Sequence, residues 1–263
     1  MTSGRLGDCE RPNVAPPGSI FVLQGAGDFC KVEIEMTSGQ TAPTPFAKRL
    51  LQAGVETAKH VLPARVRASL RERWTNWQRN QRVSKSPDRA VLTETIFPAL
   101  ARSQVFARGA DVLWIGCRGY TKKYYRLIEA GGARCWTLDI DPNASRWGRS
   151  GRHIVGGMLE SDVLFPDVRF DAVLCNGVLG WGVNAPSEQS RAYSAMASVT
   201  KPRGWLLVGW NTDRISDPMK ATDANRWFEP ACLPGFGARM VVEGCTHVFD
   251  LCRRRSDTIG SGP

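Results

Sequence analysis

The stretch Asp111–Pro142 reads DVLWIGCRGYTKKYYRLIEAGGARCWTLDIDP, and it decides the fold. Its first part is an apolar run at 112–115, which is too short for a helix and is typical of a strand buried in a parallel sheet. Gly116 and Gly119 follow at once. Glycine at this turn allows a ligand to approach the backbone more closely than a side chain would permit.

The second part of the stretch adds a helix and a second strand. Apolar residues at helical spacing predict a helix over 121–130, and Gly131–Gly132 ends it because glycine readily adopts the left-handed conformation that closes helices. A strand at 135–140 then carries Asp139, placed to accept hydrogen bonds from a ribose diol. Together these features predict half of a nucleotide-binding α/β domain, without separating a dinucleotide from S-adenosylmethionine.

The rest of the chain continues this alternation of helices and strands. In chain order, the pattern predicts a helix at 89–107, a short helix at 143–151, strands at 153–155 and 170–175, a helix at 187–200, and strands at 205–209, 239–242 and 247–252. A loop rich in Asp, Pro and Trp is expected over 211–237. Alternating segments of this kind predict an α/β fold whose sheet is mostly parallel and flanked by helices.

Composition divides the chain into four segments. Residues 1–45 mix Pro, Gly, Ser and Thr and are expected to be poorly ordered. A basic helical arm is predicted over 46–88, as an N-terminal extension of the main domain at 89–253. Residues 254–263 form a basic tail that ends in glycine and proline.

The arm is the most strongly charged part of the chain. Residues 46–85 hold ten Lys and Arg against two Glu, a net charge of +8. A helix over 64–81 would align four apolar residues in one stripe: Val66, Leu70, Trp74 and Trp77. Contact with nucleic acid or an anionic membrane is possible, but the stripe favours packing on the protein itself, because an RNA-stacking surface would intersperse aromatic and basic residues.

Composition also excludes several classes of protein. The chain has 263 residues and a net charge of +10, and no run approaches the ~18 apolar residues of a membrane-spanning helix. The eight cysteines form no CxxC pair, which indicates reduced thiols in a cytoplasmic protein rather than disulfides or a zinc site. Only three widely separated histidines are present, so we expect no metal centre.

Three stretches between residues 92 and 253 resemble the class I S-adenosylmethionine-dependent methyltransferases. They are VLWIGCRGYT at 112–121 with Asp139 downstream, FDAVLCNGVLGW at 170–181, and TKPRGWLLV at 200–208, which is similar to the family's LKPGG turn before strand five. The ending HVFDLC at 247–252 also suits the family's antiparallel seventh strand. The resemblance implies a Rossmann-like sheet of seven strands and S-adenosylmethionine as the cofactor.

The first of these stretches departs from the family pattern at three positions. Trp114 stands where the family has an acid, and Arg118 and Tyr120 stand at two of its glycines. Two other readings therefore remain open: a methyltransferase-like module that binds without catalysis, and a nicotinamide-dependent oxidoreductase that shares only the first half-domain. The chain lacks an NPPY-like tetrad and a Pro-Cys nucleophile, which argues against methylation of nucleobases.

The resemblance and the strand ends together imply a set of cofactor-binding residues. The methionine end is expected to contact the first turn, where Arg118 would pair with the carboxylate, and Asp139 is expected to bind the ribose. The adenine is expected to contact residues after strand three. Residues after strand four are expected to form the floor of the pocket. The full set is Gly116, Cys117, Arg118, Gly119, Asp139, Met158, Leu159, Asn176 and Gly177.

The acceptor side is predicted from loops that follow the carboxyl ends of strands one, four and five. These loops carry Tyr120, Trp181, Asn211 and Asp213. Asp213 or Tyr120 would act as general base if the acceptor were a hydroxyl. The predicted activity is methyl transfer from S-adenosylmethionine to a small-molecule or saccharide-like acceptor, without a metal ion.

Overall fold

The computed structural model describes residues 85–256 and six positions of the preceding arm: 64, 65, 68, 71, 75 and 78. These six positions are helical and exposed, in agreement with the helix predicted over 64–81. The predictions for residues 1–45, for the apolar stripe of the arm and for the end of the tail lie outside the described residues.

A helical segment precedes the sheet. Helix α1, Pro87–Val91, continues through a π-helical turn, Leu92–Ile96, into α2, Phe97–Arg102. The segment ends five residues earlier than the predicted 89–107, because Gln104 adopts a left-handed φ of 61° that no helix continues. Its apolar face is buried against the sheet through Leu92, Ile96, Phe97, Ala99 and Leu100.

The stretch that decides the fold has the predicted form. Strand β1, Asp111–Ile115, is buried along its whole length, and β2, Arg134–Asp139, pairs with it in parallel. Between them a short 3₁₀ turn, Gly119–Thr121, leads into α3, Lys122–Glu129. The helix buries Tyr124, Tyr125 and Ile128 on one face, as their spacing predicts, but Leu127, which was expected on the same face, is 41% exposed because it points away from the sheet side of the helix.

The remaining elements follow in the predicted order with several additions. They are a 3₁₀ turn at Pro142–Trp147, β3 His153–Val155, a 3₁₀ turn at Met158–Glu160, α4 Ser161–Leu164, β4 Phe170–Asn176, α5 Pro186–Val199, β5 Thr200–Asn211, α6 Pro218–Ala221, α7 Ala224–Trp227, β6 Phe228–Pro230, β7 Arg239–Val241 and β8 His247–Arg254. The segment 211–237, predicted as a loop, therefore contains two short helices and a strand.

The sheet has eight strands rather than the predicted seven. Its order is β3-β2-β1-β4-β5-β8-β6, with β7 also paired to β8. The first five strands are parallel, and β8 runs antiparallel to β5, β6 and β7. The additional strand, β6, has three residues and includes a proline, so it lacks the alternating pattern by which strands are recognised.

The turn predicted at 201–204 is part of β5 in the structure. Thr200 pairs with Phe170 before the KPRG sequence, and regular pairing with β4 resumes between Trp205 and Ala172 after a register shift. Arg203 has a positive φ of 62° within this irregular section. The chain thus turns inside a strand through a bulge, which lengthens β5 to 12 residues.

Apolar clusters cover the two faces of the sheet. One cluster joins the segment 87–102 and α3 to the sheet residues that include Trp114, Leu174 and Phe249. The other joins α5 to the opposite face, which includes Leu113 and Val173. Successive strand residues alternate between the faces, so Leu113 and Trp114 belong to different clusters.

Several of the predicted site residues lie at the carboxyl edge of the sheet. The five parallel strands all present their carboxyl ends there, and Asp139, Asn176 and Asn211 each end a strand. His247 also reaches this edge because it begins the antiparallel β8 and pairs with Asn211. Open α/β sheets bind ligands beyond this edge. Within the described residues, no helix combines the length and apolar composition needed to cross a membrane.

Candidate active site

The glycine turn after β1 is fastened to the end of β2. Gly116 has a φ of 91°, a conformation that a residue with a side chain rarely adopts, and its N–H donates to the Leu138 carbonyl at 2.8 Å. The next N–H, of Cys117, donates to Oδ2 of Asp139 at 2.6 Å. A Cβ on Gly116 would lie 3.3 Å from Val178 in the loop after β4, so the turn needs glycine for both conformation and space.

Asp139 is buried and holds three donors. Its Oδ2 accepts from the Cys117 N–H and from the Arg118 guanidinium at 2.9 Å, and its Oδ1 accepts from the Asp141 N–H at 2.9 Å. Each carboxylate oxygen has two acceptor positions, so both positions on Oδ2 are occupied and one on Oδ1 remains. Asp139 therefore holds the turn together and has one acceptor position for a ligand hydroxyl.

Arg118 contacts Asp139 in the structure. Its side chain is 49% exposed, and its guanidinium forms an ion pair with Asp139 at 2.9 Å. The same nitrogen lies 2.5 Å from the Cys117 carbonyl oxygen and donates to it. Pairing of Arg118 with the carboxylate of a methionine moiety stays a prediction. In the structure, the guanidinium lies beside the Cys117 carbonyl and the Asp139 carboxylate.

The expected adenine contacts lie around an exposed apolar residue that the sequence analysis missed. Ile140, directly after Asp139, is 76% exposed, and its Cδ1 lies 3.9 Å from the position of a Cβ on Gly157. Met158 is buried, whereas Leu159 is half-buried against the second apolar cluster. An exposed isoleucine beside a glycine offers a flat apolar surface of the kind that a ring can cover. The signal in the sequence was an apolar residue placed between two acids at a strand end.

Cys117 contributes its backbone rather than its thiol. Burial raises the pKa of this thiol to about 11, so the thiol is neutral near pH 7. The reactive form of cysteine is the thiolate. Cys117 is therefore a structural member of the turn and not a nucleophile.

A second polar group lies at the ends of β4, β5 and β8. Asn176 is buried, and neither atom of its side-chain amide has a hydrogen-bond partner within the described part of the chain. The same holds for Nε2 of His247. A Cβ on Gly209 would lie 2.1 Å from Oδ1 of Asn176 and 2.7 Å from Nε2 of His247. The absence of a side chain at 209 thus leaves the space that these two polar groups fill.

Helix α1 brings a buried charged pair to this group. Arg89 is 8% exposed, and its Nε lies 3.1 Å from the Asp88 carboxylate. Its guanidinium carbon lies 5.0 Å from the centre of the Tyr120 ring, and one terminal nitrogen lies 3.9 Å from the position of a Cβ on Gly177. Nε and the other terminal nitrogen have no hydrogen-bond partner among the residues described. Sequence analysis missed both charged residues, because they lie at the end of the predicted arm and at the start of the predicted helix 89–107, without a motif.

Tyr120 and Gly177 both lie near Arg89, whereas Asp213 lies further out. Asp213 is exposed and accepts a hydrogen bond from the Thr246 hydroxyl at 2.7 Å. Asn211 donates to Thr246 at 3.0 Å and contacts Nδ1 of His247 at 3.1 Å. Asp213 therefore connects to the buried group through other side chains, and its role as a general base stays a prediction.

Trp181 lies outside this buried group. Its ring is 59% exposed, and the Arg214 guanidinium carbon lies 4.1 Å from the ring centre. Gly180 beside it has a φ of 83°. The contact holds the loop after β4 against the loop after β5 and leaves one side of the ring open.

His247 is neutral over the physiological range of pH. Burial is the main cause that lowers its pKa to about 4, and the nearby charges of Asp88 and Arg89 act in opposite directions. A neutral imidazole has one nitrogen that donates and one that accepts. The group therefore presents an imidazole, a primary amide and a guanidinium, and it includes no carboxylate apart from that of Asp88.

Two clefts lie at the opposite edge of the sheet. One of about 440 Å³ is lined by residues that include Arg108, Lys201, Arg203 and Arg253. Several of these cations are paired, as Lys201 is with Asp171 at 2.8 Å and Arg203 with Glu229 at 3.2 Å. None of the predicted site residues lines this cleft. No group of three or more His, Cys, Asp and Glu suited to a metal ion occurs in the described residues.

One family model matches the chain. Residues 113–208 match a model described as a methyltransferase domain, and the match runs from β1 into β5. It includes the glycine turn, Asp139 and Asn176. No curated protein matches the sequence of the chain.

Several solved structures are similar to the chain at low identity. A TehB-like SAM-dependent methyltransferase from Corynebacterium glutamicum ATCC 13032 has 17% identity and a TM-score of 0.48 over 72% of this chain and 100% of its own. The N-methyltransferase NodS from Bradyrhizobium japonicum WM9 has 16% identity and a TM-score of 0.49 over 66% and 99%. The 1,6-didemethyltoxoflavin-N1-methyltransferase from Burkholderia thailandensis has 19% identity and a TM-score of 0.46 over 84% and 94%. Similarity at this level carries no information on the acceptor.

Proposed function

We propose that this chain, whose residues 113–208 match a methyltransferase-domain model, is a class I S-adenosylmethionine-dependent methyltransferase that transfers a methyl group to a small-molecule acceptor. A saccharide-like compound is one such acceptor. The observation that carries the proposal is the group of buried polar atoms without partners at the ends of β4, β5 and β8. Buried polar atoms are normally hydrogen-bonded, so this group is suited to a ligand that supplies the missing partners.

The adenosine end of the methyl donor fits the residues around Asp139. The carboxylate has one acceptor position left for a ribose hydroxyl, and Ile140 offers an exposed apolar face beside it. Gly116 keeps the backbone of the first turn open. S-adenosylmethionine, when bound, supplies a methyl group on a positively charged sulfur, which is the electrophile of the reaction.

Burial supports a small acceptor rather than a macromolecule. Arg89, Asn176 and His247 are each more than nine-tenths buried. A nucleic acid or protein surface could not reach these side chains without a large opening of the fold. A small compound needs only the surrounding side chains to shift, and its enclosure would exclude water from the transfer.

The protein contributes position and hydrogen bonds. Methyl transfer requires the acceptor atom to lie in line with the bond that breaks, so the residues that orient the acceptor supply most of the rate enhancement. Asn176 and Arg89 offer donors for the oxygen atoms of an acceptor, and His247 offers an acceptor for its hydrogen.

Calorimetric titration with S-adenosylhomocysteine, S-adenosylmethionine, NAD and NADP tests the activity class. We expect both sulfur compounds to bind and both nicotinamide compounds to give no heat of binding. Transfer of tritium from S-adenosyl-[methyl-³H]methionine to a mixture of small hydroxyl compounds then tests catalysis. Binding of S-adenosylhomocysteine without any transfer would favour a methyltransferase-like binding module, and binding of NAD alone would favour an oxidoreductase.

A further inference from the structure

A chain of hydrogen bonds fixes which nitrogen of His247 carries a hydrogen. The Thr246 hydroxyl donates its one hydrogen to the Asp213 carboxylate at 2.7 Å. Its oxygen therefore accepts from the Asn211 amide nitrogen at 3.0 Å, which turns the Asn211 oxygen toward Nδ1 of His247 at 3.1 Å. An amide oxygen only accepts, so Nδ1 carries the hydrogen and Nε2 keeps a free lone pair.

This lone pair lies in the space beside Gly209. The position of a Cβ on Gly209 is 2.7 Å from Nε2 and 2.1 Å from Oδ1 of Asn176, so these two atoms are separated by no more than the sum of those distances. No hydrogen bond joins either atom to any of the described residues. An imidazole lone pair and a primary amide therefore lie close together at a buried position. This position is at the carboxyl edge of the sheet, where S-adenosylmethionine is expected to bind.

The opposite charges of Arg89 and Asp88, which lie near His247 and Asn176, cancel. Arg89 and Asp88 are both buried and lie 3.1 Å apart, and both act on the pKa of His247. An additional buried charge would be left without a partner, which is strongly unfavourable. The buried position therefore favours an acceptor that is uncharged in its bound form over an ammonium or a carboxylate compound.

We propose that His247 is the catalytic base of the methyl transfer and that the acceptor is an uncharged compound with a phenolic or enolic hydroxyl. The proposal rests on the proposed function and deepens it. Asn211, Thr246 and Asp213 are positioning residues, since they act on the acceptor only through the imidazole. Asn176 donates through its amide to the acceptor oxygen.

His247 is a weak base, so the acceptor hydroxyl has to be acidic. An imidazole buried without a carboxylate partner is a weak base, and proton transfer to it is efficient only from a group that releases its proton readily. The lowered pKa of His247, about 4, agrees with this reasoning. Phenols and enols are much more acidic than the hydroxyls of a saccharide, so they match this base better.

The proposed step is balanced as follows. A bond forms between the acceptor oxygen and the methyl carbon, and the carbon–sulfur bond of the donor breaks with its electron pair staying on sulfur. The hydroxyl proton passes to Nε2 of His247. The positive charge of the donor thus ends on the imidazolium, which releases the proton to solvent when the site opens.

Kinetics on the full chain test the base. Simple phenols that are uncharged at the assay pH, including phenol itself, are compared with methyl α-D-glucopyranoside as acceptors, and transfer of tritium from the methyl donor is measured. His247→Gln should lower kcat about 10²–10⁴-fold with little change in KM, because a general base acts only in the transition state. His153→Gln is the matched control, since His153 lies in β3, far along the sheet from β8, and hydrogen-bonds through Nδ1 to Thr137 at 3.0 Å.

Nitrogen-15 spectra of histidine-labelled protein give a second measurement that does not depend on turnover. We expect Nε2 of His247 to appear as the unprotonated nitrogen, and phenol to shift the signals of His247 but not those of His153. Thr246→Val removes the hydroxyl that orients Asn211, so it should produce a mixture of the two imidazole tautomers. The control for that variant is Thr212→Val, at an exposed neighbouring position.

Each outcome bears on a different part of the proposal. A His247→Gln protein with the kcat of the parent, or a parent whose Nε2 carries the hydrogen, would show that His247 is not the base. Methylation of the glucoside but of no phenol, or phenols that leave the His247 signals unmoved, would show that the acceptor class is wrong. Calorimetry with S-adenosylhomocysteine separates these results from failure of the proposed function, because His247→Gln should bind that compound as the parent does.

Discussion

The hydrogen bonds of Asp139 distinguish its two carboxylate oxygens. Its Oδ2 is occupied by the Cys117 N–H and by Arg118, which makes this oxygen a part of the turn. Its Oδ1 accepts from the Asp141 N–H and keeps one acceptor position for the predicted contact with ribose. Asp141 lies two residues further on and uses its own carboxylate to accept from the Asn143 N–H at 2.9 Å.

Replacement of Asp139 by Asn should weaken the binding of S-adenosylhomocysteine about 10- to 100-fold. The amide loses the negative charge that strengthens hydrogen bonds to the ribose, an effect worth about 1.5–3 kcal/mol for one charged partner. Calorimetric titration measures the change, and Asp141→Asn is the matched control because its carboxylate is engaged in its own turn. Weakening by Asp141→Asn with normal binding by Asp139→Asn would exchange the roles of the two acids.

His247 should also make stability depend on pH. Its pKa is about 4 in the folded protein, against the ordinary value of 6.5 that applies to the unfolded chain. Between these values the unfolded state binds the proton and the folded state does not, so the free energy of unfolding falls as the pH is lowered through this window. The expected loss between pH 7.5 and pH 5 is about 2 kcal/mol.

Urea unfolding at the two pH values measures this loss. His247→Gln should have a smaller difference between pH 7.5 and pH 5 than the parent, because the glutamine does not titrate. Asp111 and Asp217, whose pKa values are lowered by their arginine partners, contribute only at more acidic pH and do not obscure the comparison. Equal differences in parent and variant would contradict the environment described for His247.

Strand β1 explains how the chain tolerates tryptophan where similar methyltransferases have an acid. Trp114 is fully buried and faces away from the site, into the apolar cluster under α2 and α3. Its ring centre lies 6.3 Å from that of Phe97 and 5.1 Å from that of Tyr124, and its indole N–H donates to the Gly116 carbonyl at 2.6 Å. The residue therefore stabilises the glycine turn through packing and one hydrogen bond rather than through a carboxylate.

Restoring the acid at this position should unfold the protein. Trp114→Asp removes a large buried aromatic, which alone costs about 3–5 kcal/mol, and leaves a carboxyl group in an apolar cluster. Trp114→Phe should cost about 1–3 kcal/mol, because the ring is kept and only part of its volume and the indole N–H are lost. Urea unfolding measures both variants, and Trp136→Phe, at a half-buried position on β2, is the control. A folded Trp114→Asp protein of normal stability would show that this part of the core is not required.

The sequence predicts the ends of some strands more accurately than those of others, and the difference has a physical reason. The strands at 112–115, 153–155 and 170–175 were located within one residue of their ends, because each is a short apolar run with clear boundaries. The extension of β5 back to Thr200 was missed, because it depends on pairing with Phe170 across the sheet. Periodicity depends on near neighbours along the chain, and pairing of distant segments leaves no local pattern.

At the scale of the whole molecule, binding of the donor product should stabilise the folded state. At a concentration 100 times its Kd, a ligand that binds only the folded protein adds about 2.7 kcal/mol to the free energy of unfolding. For a domain of this size we expect S-adenosylhomocysteine to raise Tm by about 5–10 °C under that condition. Thermal unfolding followed by circular dichroism measures the shift, with NAD at the same concentration as the control. A shift with NAD and none with S-adenosylhomocysteine would contradict the proposed function.

The sequence by itself determined the order and type of the main elements, the glycine turn after β1 and the position of Asp139 at a strand end. It also placed Asn176 and Gly177 at the carboxyl end of β4, because strand ends follow from local apolar runs. These properties depend on residues that are near one another along the chain. For the same reason, the family resemblance was readable from three short stretches.

Only the tertiary structure decided which polar groups meet at the candidate active site. His247 contacts Asn211, 36 residues earlier, because β8 inserts antiparallel beside β5, and Gly209 then leaves room for the imidazole and for Asn176. Helix α1 brings Arg89 over Tyr120 from the other end of the domain. Contacts of this kind depend on the order of strands in the sheet and on where a side chain is missing, and neither property has a period along the sequence.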